Sequence, residues 1–153
     1  MMTVLEIKSS LLDACKNNVR TRYEKVQTAI ADIVESLNDE TKSSAGDKHE
    51  TGRAMLQIDR ENAGKQLMEL ENLQRLLPKI DIKTATDYAR LGSLVHTNHG
   101  NYFISISHGA VTIGKIVYYC VALQAPIGAQ LSGKKKGDNF VFNDKEYRVT
   151  SIK

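Results

Sequence analysis

Residues 3–38 contain neither proline nor glycine, and their apolar positions fall at Leu12, Cys15, Val19, Tyr23, Val26, Ile30, Ile33 and Leu37. Steps of three and four draw one narrow stripe along a helix, close to a coiled-coil seam, so a long helix is predicted here. Lys16, Arg20, Glu24, Asp32 and Glu35 fall on the opposite face. A second repeat follows, with Leu56, Ala63, Leu70 and Leu77 seven residues apart and Leu67 and Leu73 between them. This predicts a second helix over residues 47–77. Gly52 and Gly64 each weaken it by about 1 kcal/mol relative to alanine. Pro78 ends it, because proline donates no hydrogen bond and biases the preceding residue away from helical geometry.

Two helices of roughly 30 residues, at about 1.5 Å rise per residue, would each be about 45 Å long. A short polar connection at residues 39–48 makes them antiparallel neighbours, an αα-hairpin with an acidic tip at residues 39–50 that projects as a rod. From Lys79 the period changes. Residues 79–90 mix polar and apolar types and suit a linker. Residues 91–97, 102–107, 116–122, 139–142 and 146–152 are short β-branched and aromatic runs separated by turn residues, and they predict strands of a small sheet. Residues 126–131 predict one short helix, and Gly133 and Gly137 bracket a lysine-rich turn. The expected fold class is α+β, with a helical hairpin at residues 1–78, a linker at 79–90 and a β-rich domain at 91–153.

Composition places this pattern in a soluble chain of 153 residues, 41% apolar and 25% charged. The first residues lack the basic-then-apolar order of a secretory signal, and no run approaches the roughly 18 apolar residues of a spanning helix. Cys15 and Cys120 stand far apart without a Cys-x-x-Cys partner, so reduced thiols in a cytoplasmic protein are expected. Charge is uneven. Residues 1–78 carry 11 Lys and Arg against 13 Asp and Glu, whereas residues 79–153 carry 10 against 5. The basic excess of the second half suits docking on an acidic protein surface or a weak nucleic-acid contact, and falls short of a strong DNA binder.

The candidate chemistry lies between the helices. Asp47 and Glu50, three residues apart at the start of the second helix, fit a capping box and the helix dipole. They also fit a pair of hard oxygen ligands for a Mg²⁺ that takes further ligands from elsewhere, a metal able to activate water for phosphodiester attack.

Gly46-Asp47-Lys48-His49-Glu50-Thr51 resembles the Gly-Asp-x-x-Glu-Asn tip of the Gre-type bacterial transcript cleavage factors, and lies at the same place between two long helices. A second segment, residues 125–138, with Pro126, Gly128, Leu131, Gly133, Lys134, Gly137 and Asp138, is similar to that family's Ser-Pro-x-(Gly/Ala)-x-x-Leu-x-Gly-Lys-x-x-Gly-Asp. Residues 146–152 resemble its last strand. Thr51 stands where the family usually has Asn, Ala125 replaces Ser, and the loop at 39–45 is longer and more polar.

The resemblance implies an FKBP-like β domain that docks at the rim of the secondary channel of RNA polymerase, and a coiled coil inserted to the active centre. Asp47 and Glu50 would assist catalysis in trans by helping to hold a Mg²⁺ shared with the polymerase, which then cleaves backtracked RNA. No cofactor is expected on the chain alone, which would be a monomer without enzymatic activity of its own or membrane association, touching the nascent RNA 3′ end indirectly. Pro126 and Ile127 carry over as polymerase-docking positions, and Lys42, Lys48 and Arg53 are candidates for RNA phosphate contact or a solvated basic collar. A relative that occupies the channel and regulates the polymerase without stimulating cleavage fits the same residues. A prolyl isomerase built on the β domain is the remaining alternative, disfavoured because an aromatic-lined cleft is hard to build from three Phe and no Trp.

Three weaker signals go elsewhere. Gly109-Ala-Val-Thr-Ile-Gly114-Lys115 fits the first seven positions of a phosphate-binding loop, but Ile116 stands where Ser or Thr is required and a strand is predicted next. His96, His99 and His108 lack a cysteine or paired acid that would complete a metal site. Lys134, Lys135 and Lys136 read as a solvated turn.

Overall fold

The computed structural model describes residues 1–42 and 46–153, and the side chains of residues 1–39 and 50–153. The chain is α+β. Helix α1 (Val4–Lys42) and helix α2 (Gly46–Leu76) come first, followed by a single 3-10 turn at Leu77–Lys79. Then come β1 (Leu94–Thr97), β2 (Gly100–Ser105), β3 (Gly109–Ile113), β4 (Ile116–Ala122), α3 (Pro126–Leu131), β5 (Asn139–Phe142) and β6 (Lys145–Ile152). Contacts divide it into two compact units, one of Met1–Asn18 with Leu76–Lys153, the other of Val19–Arg75. The dividing lines fall inside α1, after residue 18, and near residue 76, so the first turns of α1 belong with the sheet.

The unit Val19–Arg75 follows the apolar stripe. Val19, Leu37, Ala63 and Leu70 are buried, Tyr23, Val26, Ile30, Ile33, Leu56, Leu67 and Leu73 are half-buried, and Arg20, Glu24, Asp32 and Glu35 are exposed. Contacts between the two helices occur toward both ends of this unit. The Arg53 guanidinium donates to the Leu37 carbonyl at 3.4 Å, and Arg22, Lys25 and Val26 share a hollow with Gln66, Glu69 and Leu70.

In the other unit a six-stranded sheet runs in the order β3-β4-β2-β1-β6-β5. All pairs are antiparallel except β2 with β4, which run parallel with Phe103 opposite Cys120. Because side chains alternate along a strand, each face has its own core. On one face Val95, Tyr102, Ile104, Tyr147 and Val149 pack with Leu131 of α3, Phe140 and Ala89. On the other, Phe103, Ser105, Tyr118 and Cys120 are buried. The start of α1 covers this second face. Leu11, Leu12 and Cys15 are buried there, and the Cys15 Sγ lies 3.6 Å from the Ser105 Oγ. Hydrogen bonds from the Cys120 thiol and the Ser105 hydroxyl pull the Cys15 thiol down to about 7, while that same hydrogen bond to Cys15, with burial, holds Cys120 above the ordinary thiol range. Both cysteines are free thiols. Thr3 caps α1 by accepting from the Glu6 N–H at 3.1 Å.

Two expectations from the sequence change. Residues 79–90 pack into the sheet unit: Ile80 and Ala89 are buried, the Ala89 N–H donates to the Lys134 carbonyl, and Tyr88 bridges Lys135. Residues 109–113, set aside as an incomplete phosphate loop, form the edge strand β3, and β4 follows through Gly114. The Asn143-Asp144 connection between β5 and β6 has positive φ at both residues, the geometry of a two-residue hairpin turn. Among the described residues, no helix is long and apolar enough to cross a membrane.

Two glycines sit at opposite extremes. A Cβ on Gly128 would overlap the Ala122 carbonyl oxygen at the end of β4, whereas one on the exposed Gly64 of α2 meets nothing within 4 Å. Gly128→Ala is therefore expected to lower stability by about 1–3 kcal/mol as α3 is pushed off the sheet, and Gly64→Ala to raise it by about 0.5–1 kcal/mol. Urea unfolding midpoints of the two variants should move in opposite directions. Asp81 supplies a pH test. Hydrogen bonds from the Thr84 hydroxyl and from the Lys83 and Thr84 N–H groups hold its carboxyl well below the usual carboxylate range. A lowered folded value means that its contribution is complete above about pH 4 and is lost as pH falls below that. Asp81→Asn should thus lower the urea midpoint at pH 6, with the deficit shrinking toward pH 3.

Candidate functional site

Helix α2 begins at Gly46, so Asp47 and Glu50 both lie in its first turns, three residues apart and on one side of the helix axis. The Glu50 carboxylate is exposed. The side chains of Asp47, Lys42, Lys48 and His49 lie outside the described residues, as do residues 43–45. Glu50 adds a carboxylate to a helix N-terminus, where the free N–H groups favour negative charge whether or not a metal is present. An exposed carboxylate keeps its lone pairs available, and so can complete the shell of a cation whose other ligands come from a second molecule.

Arg53, expected near phosphate, is half-buried and donates to the Leu37 main chain. Its guanidinium ties α2 to α1 one turn below Glu50. Pro126 is exposed at the first position of α3, where its missing N–H leaves no unmet bond, and Ile127 is half-buried against the core. The rest of the segment 125–138 serves the fold. Gly128 allows α3 to touch β4, Leu131 is fully buried, and the Asp138 carboxylate accepts from the Lys135 N–H at 2.8 Å. Of the lysine turn, Lys134 sits 5.7 Å from the centre of the Phe140 ring and Lys135 pairs with Asp87 at 3.9 Å across solvent.

The three histidines are held separately. The His96 Nδ1 is 2.6 Å from the Asn101 Oδ1, His99 lies edge-on to Tyr147 with its Nε2 3.0 Å from the Glu146 carbonyl, and His108 donates its main-chain N–H to Ile106 and Cys120. No cluster of three metal-ligating side chains occurs among the described residues. Sequence reasoning also passed over Lys8, which is buried at 3% exposure in α1. Its position two residues after the exposed stretch 1–6 carries no motif, and only the fold shows what covers it.

No protein-family model matches the chain, and no curated protein matches it. Arg53→Met should lower the stability of the chain by about 0.5–1.5 kcal/mol, the worth of one hydrogen bond to a main-chain carbonyl, in urea unfolding followed by helical circular dichroism.

Proposed function

We propose that the chain is a transcription elongation factor of the Gre type, which binds RNA polymerase through its secondary channel and stimulates cleavage of backtracked RNA. The observation that carries this reading is the exposed Glu50 carboxylate in the first turns of α2, at the end of a helix pair. The two meeting points, 37 with 53 and 22–26 with 66–70, run in opposite chain sense. They support an antiparallel coiled-coil hairpin whose connection lies beside Asp47 and Glu50. A β-rich unit with an exposed proline opening a short helix supports the second half of the reading, an FKBP-like domain that docks through Pro126 and Ile127.

In this mechanism Asp47 and Glu50 would supply oxygens to a Mg²⁺ shared with the polymerase, and that ion would activate the water for attack on the phosphodiester. Such an ion would supply Lewis-acid stabilisation of the charge that develops on the phosphodiester oxygens. The factor does no chemistry alone. Its contribution is positional: it brings negative oxygens to a centre that lacks them and adds no reorganisation cost at the moment of reaction. The basic residues around the acids in sequence, Lys42 and Lys48, would meet RNA phosphate in this reading. Cytoplasmic location and a monomeric state belong to the same reading.

The test is Asp47→Asn combined with Glu50→Gln, added to a backtracked elongation complex while the RNA 3′ end is followed. Stimulated shortening should be abolished, with helical circular dichroism unchanged; undiminished shortening refutes the mechanism. A chain that displaces a cleavage factor from the polymerase without shortening RNA, even as wild type, would instead be a channel-binding regulator. Thr51 in place of the family's Asn gives that outcome its specific basis.

A further inference from the structure

Beside the sheet unit's second core lies an open cleft of about 510 Å³, within the range of roughly 300–1,000 Å³ typical of small-molecule sites. Its walls are apolar: Val4 and Leu5 of α1 face Ile82, Ala85 and Ile152. Val4 and Leu5 remain 36% and 47% exposed, so the folded chain leaves this wall partly uncovered.

Lys8 also lines the cleft, and its surroundings are unusual for a lysine. It is 3% exposed, and no hydrogen bond or ion pair to it occurs among the described residues. The nearest acid is already committed. The Asp81 Oδ1 accepts from the Lys83 and Thr84 N–H groups at 2.9 and 3.1 Å, and its Oδ2 faces the Arg90 guanidinium at 3.4 Å. Burial holds the Lys8 ammonium below the ordinary lysine range, Arg90 pushes the same way, and Asp81 opposes them only through space. The Lys8 side chain is buried, but among the described residues no anion is hydrogen-bonded to its ammonium, and Asp81 compensates it only through space. Lys83 and Lys153, both exposed, add two more cationic groups at the rim. Apolar walls, an ammonium in the cleft lining with no hydrogen-bonded anion and a cationic rim are complementary to one kind of molecule.

We propose that this cleft binds a small amphiphilic anion, its carboxylate or phosphate head on Lys8 and its hydrocarbon body against Val4, Leu5 and Ile152. The site is independent of the acids at the start of α2 and of any polymerase.

The experiment is a titration of the full chain with octanoate, octyl phosphate and, as the neutral control, octanol, followed by amide chemical shifts. At least one anion should shift residues 4–8 and 82–85 saturably and bind at least about tenfold more weakly to Lys8→Met, the loss expected when a charge-assisted hydrogen bond is removed. Octanol should bind weakly and be indifferent to that change. The two anions distinguish a carboxylate ligand from a phosphate one. Lys8→Met is expected to fold, since it replaces a charge with no hydrogen-bonded anion by an apolar chain of similar length. If it does not, Ala85→Trp, at an exposed position on the wall, fills the cleft and should abolish the anion-induced shifts. Absence of saturable shifts with both anions overturns the proposal. So does an affinity that Lys8→Met leaves within twofold, or that Ala85→Trp leaves intact.

Discussion

The sheet has two hydrophobic faces and only one of them is covered by the elements that follow it in sequence. Six residues of α3, with the strands and loops around Leu131 and Phe140, close the first. The second, with Phe103, Tyr118 and Cys120, would stand open without the beginning of α1, whose Leu11, Leu12 and Cys15 bury themselves against it. Burying side chains of this size stabilises by roughly 1.5–3 kcal/mol each, on the order of a domain's whole net stability when a few are summed. The same unbroken helix then continues to Lys42 and forms half of the second compact unit. One element therefore serves two cores, and this dependence governs both the fold and the reading of its function.

Much of this was legible in the chain. The stripe from Leu12 to Leu37 and the repeat from Leu56 to Leu77 mark the helices because periodicity records which face is buried. Pro78 marks the end of α2 within two residues. Within the sheet unit the stripe is buried at Leu12 and Cys15, and in the helical unit it is shallower from Tyr23 to Ile33. A stripe records a buried face but not the partner that buries it, which is why the start of α1 reads as part of a hairpin. The β3 strand was missed for a local reason: Gly109 and Gly114 bracket a run of only four residues, and its glycines invite a loop. Residues 79–90 show no period because they are held by single contacts, Ala89 to Lys134 and Asp81 to Thr84, rather than by a repeating face.

The candidate sites divide in the same way. Asp47 and Glu50 stand out in sequence because three-residue spacing at a helix start has a geometric meaning, although that meaning alone fits a cap as well as a ligand pair. Arg53 looked like a member of the basic collar, and its side chain is turned instead to the Leu37 carbonyl. The conspicuous segment 125–138 is in part a folding motif, with Gly128 and Leu131 fitting α3 to the sheet and Pro126 among the residues left facing solvent. The amphiphile cleft had no sequence signature at all. Lys8, Ile82 and Ile152 are brought together from the two ends and the middle of the chain, and no local pattern can announce such a meeting.

The central functional claim is that the first turns of α2 reach the reacting end of the RNA inside another molecule. A photoreactive residue introduced in place of Thr51, beside Glu50, addresses this directly in a backtracked elongation complex, with a second probe in place of Gln130 on α3 as the control. The account predicts that irradiation joins the Thr51 probe to the RNA 3′ segment and the Gln130 probe to polymerase protein alone. Absence of RNA from the Thr51 product, with the Gln130 probe still captured by the polymerase, would contradict it.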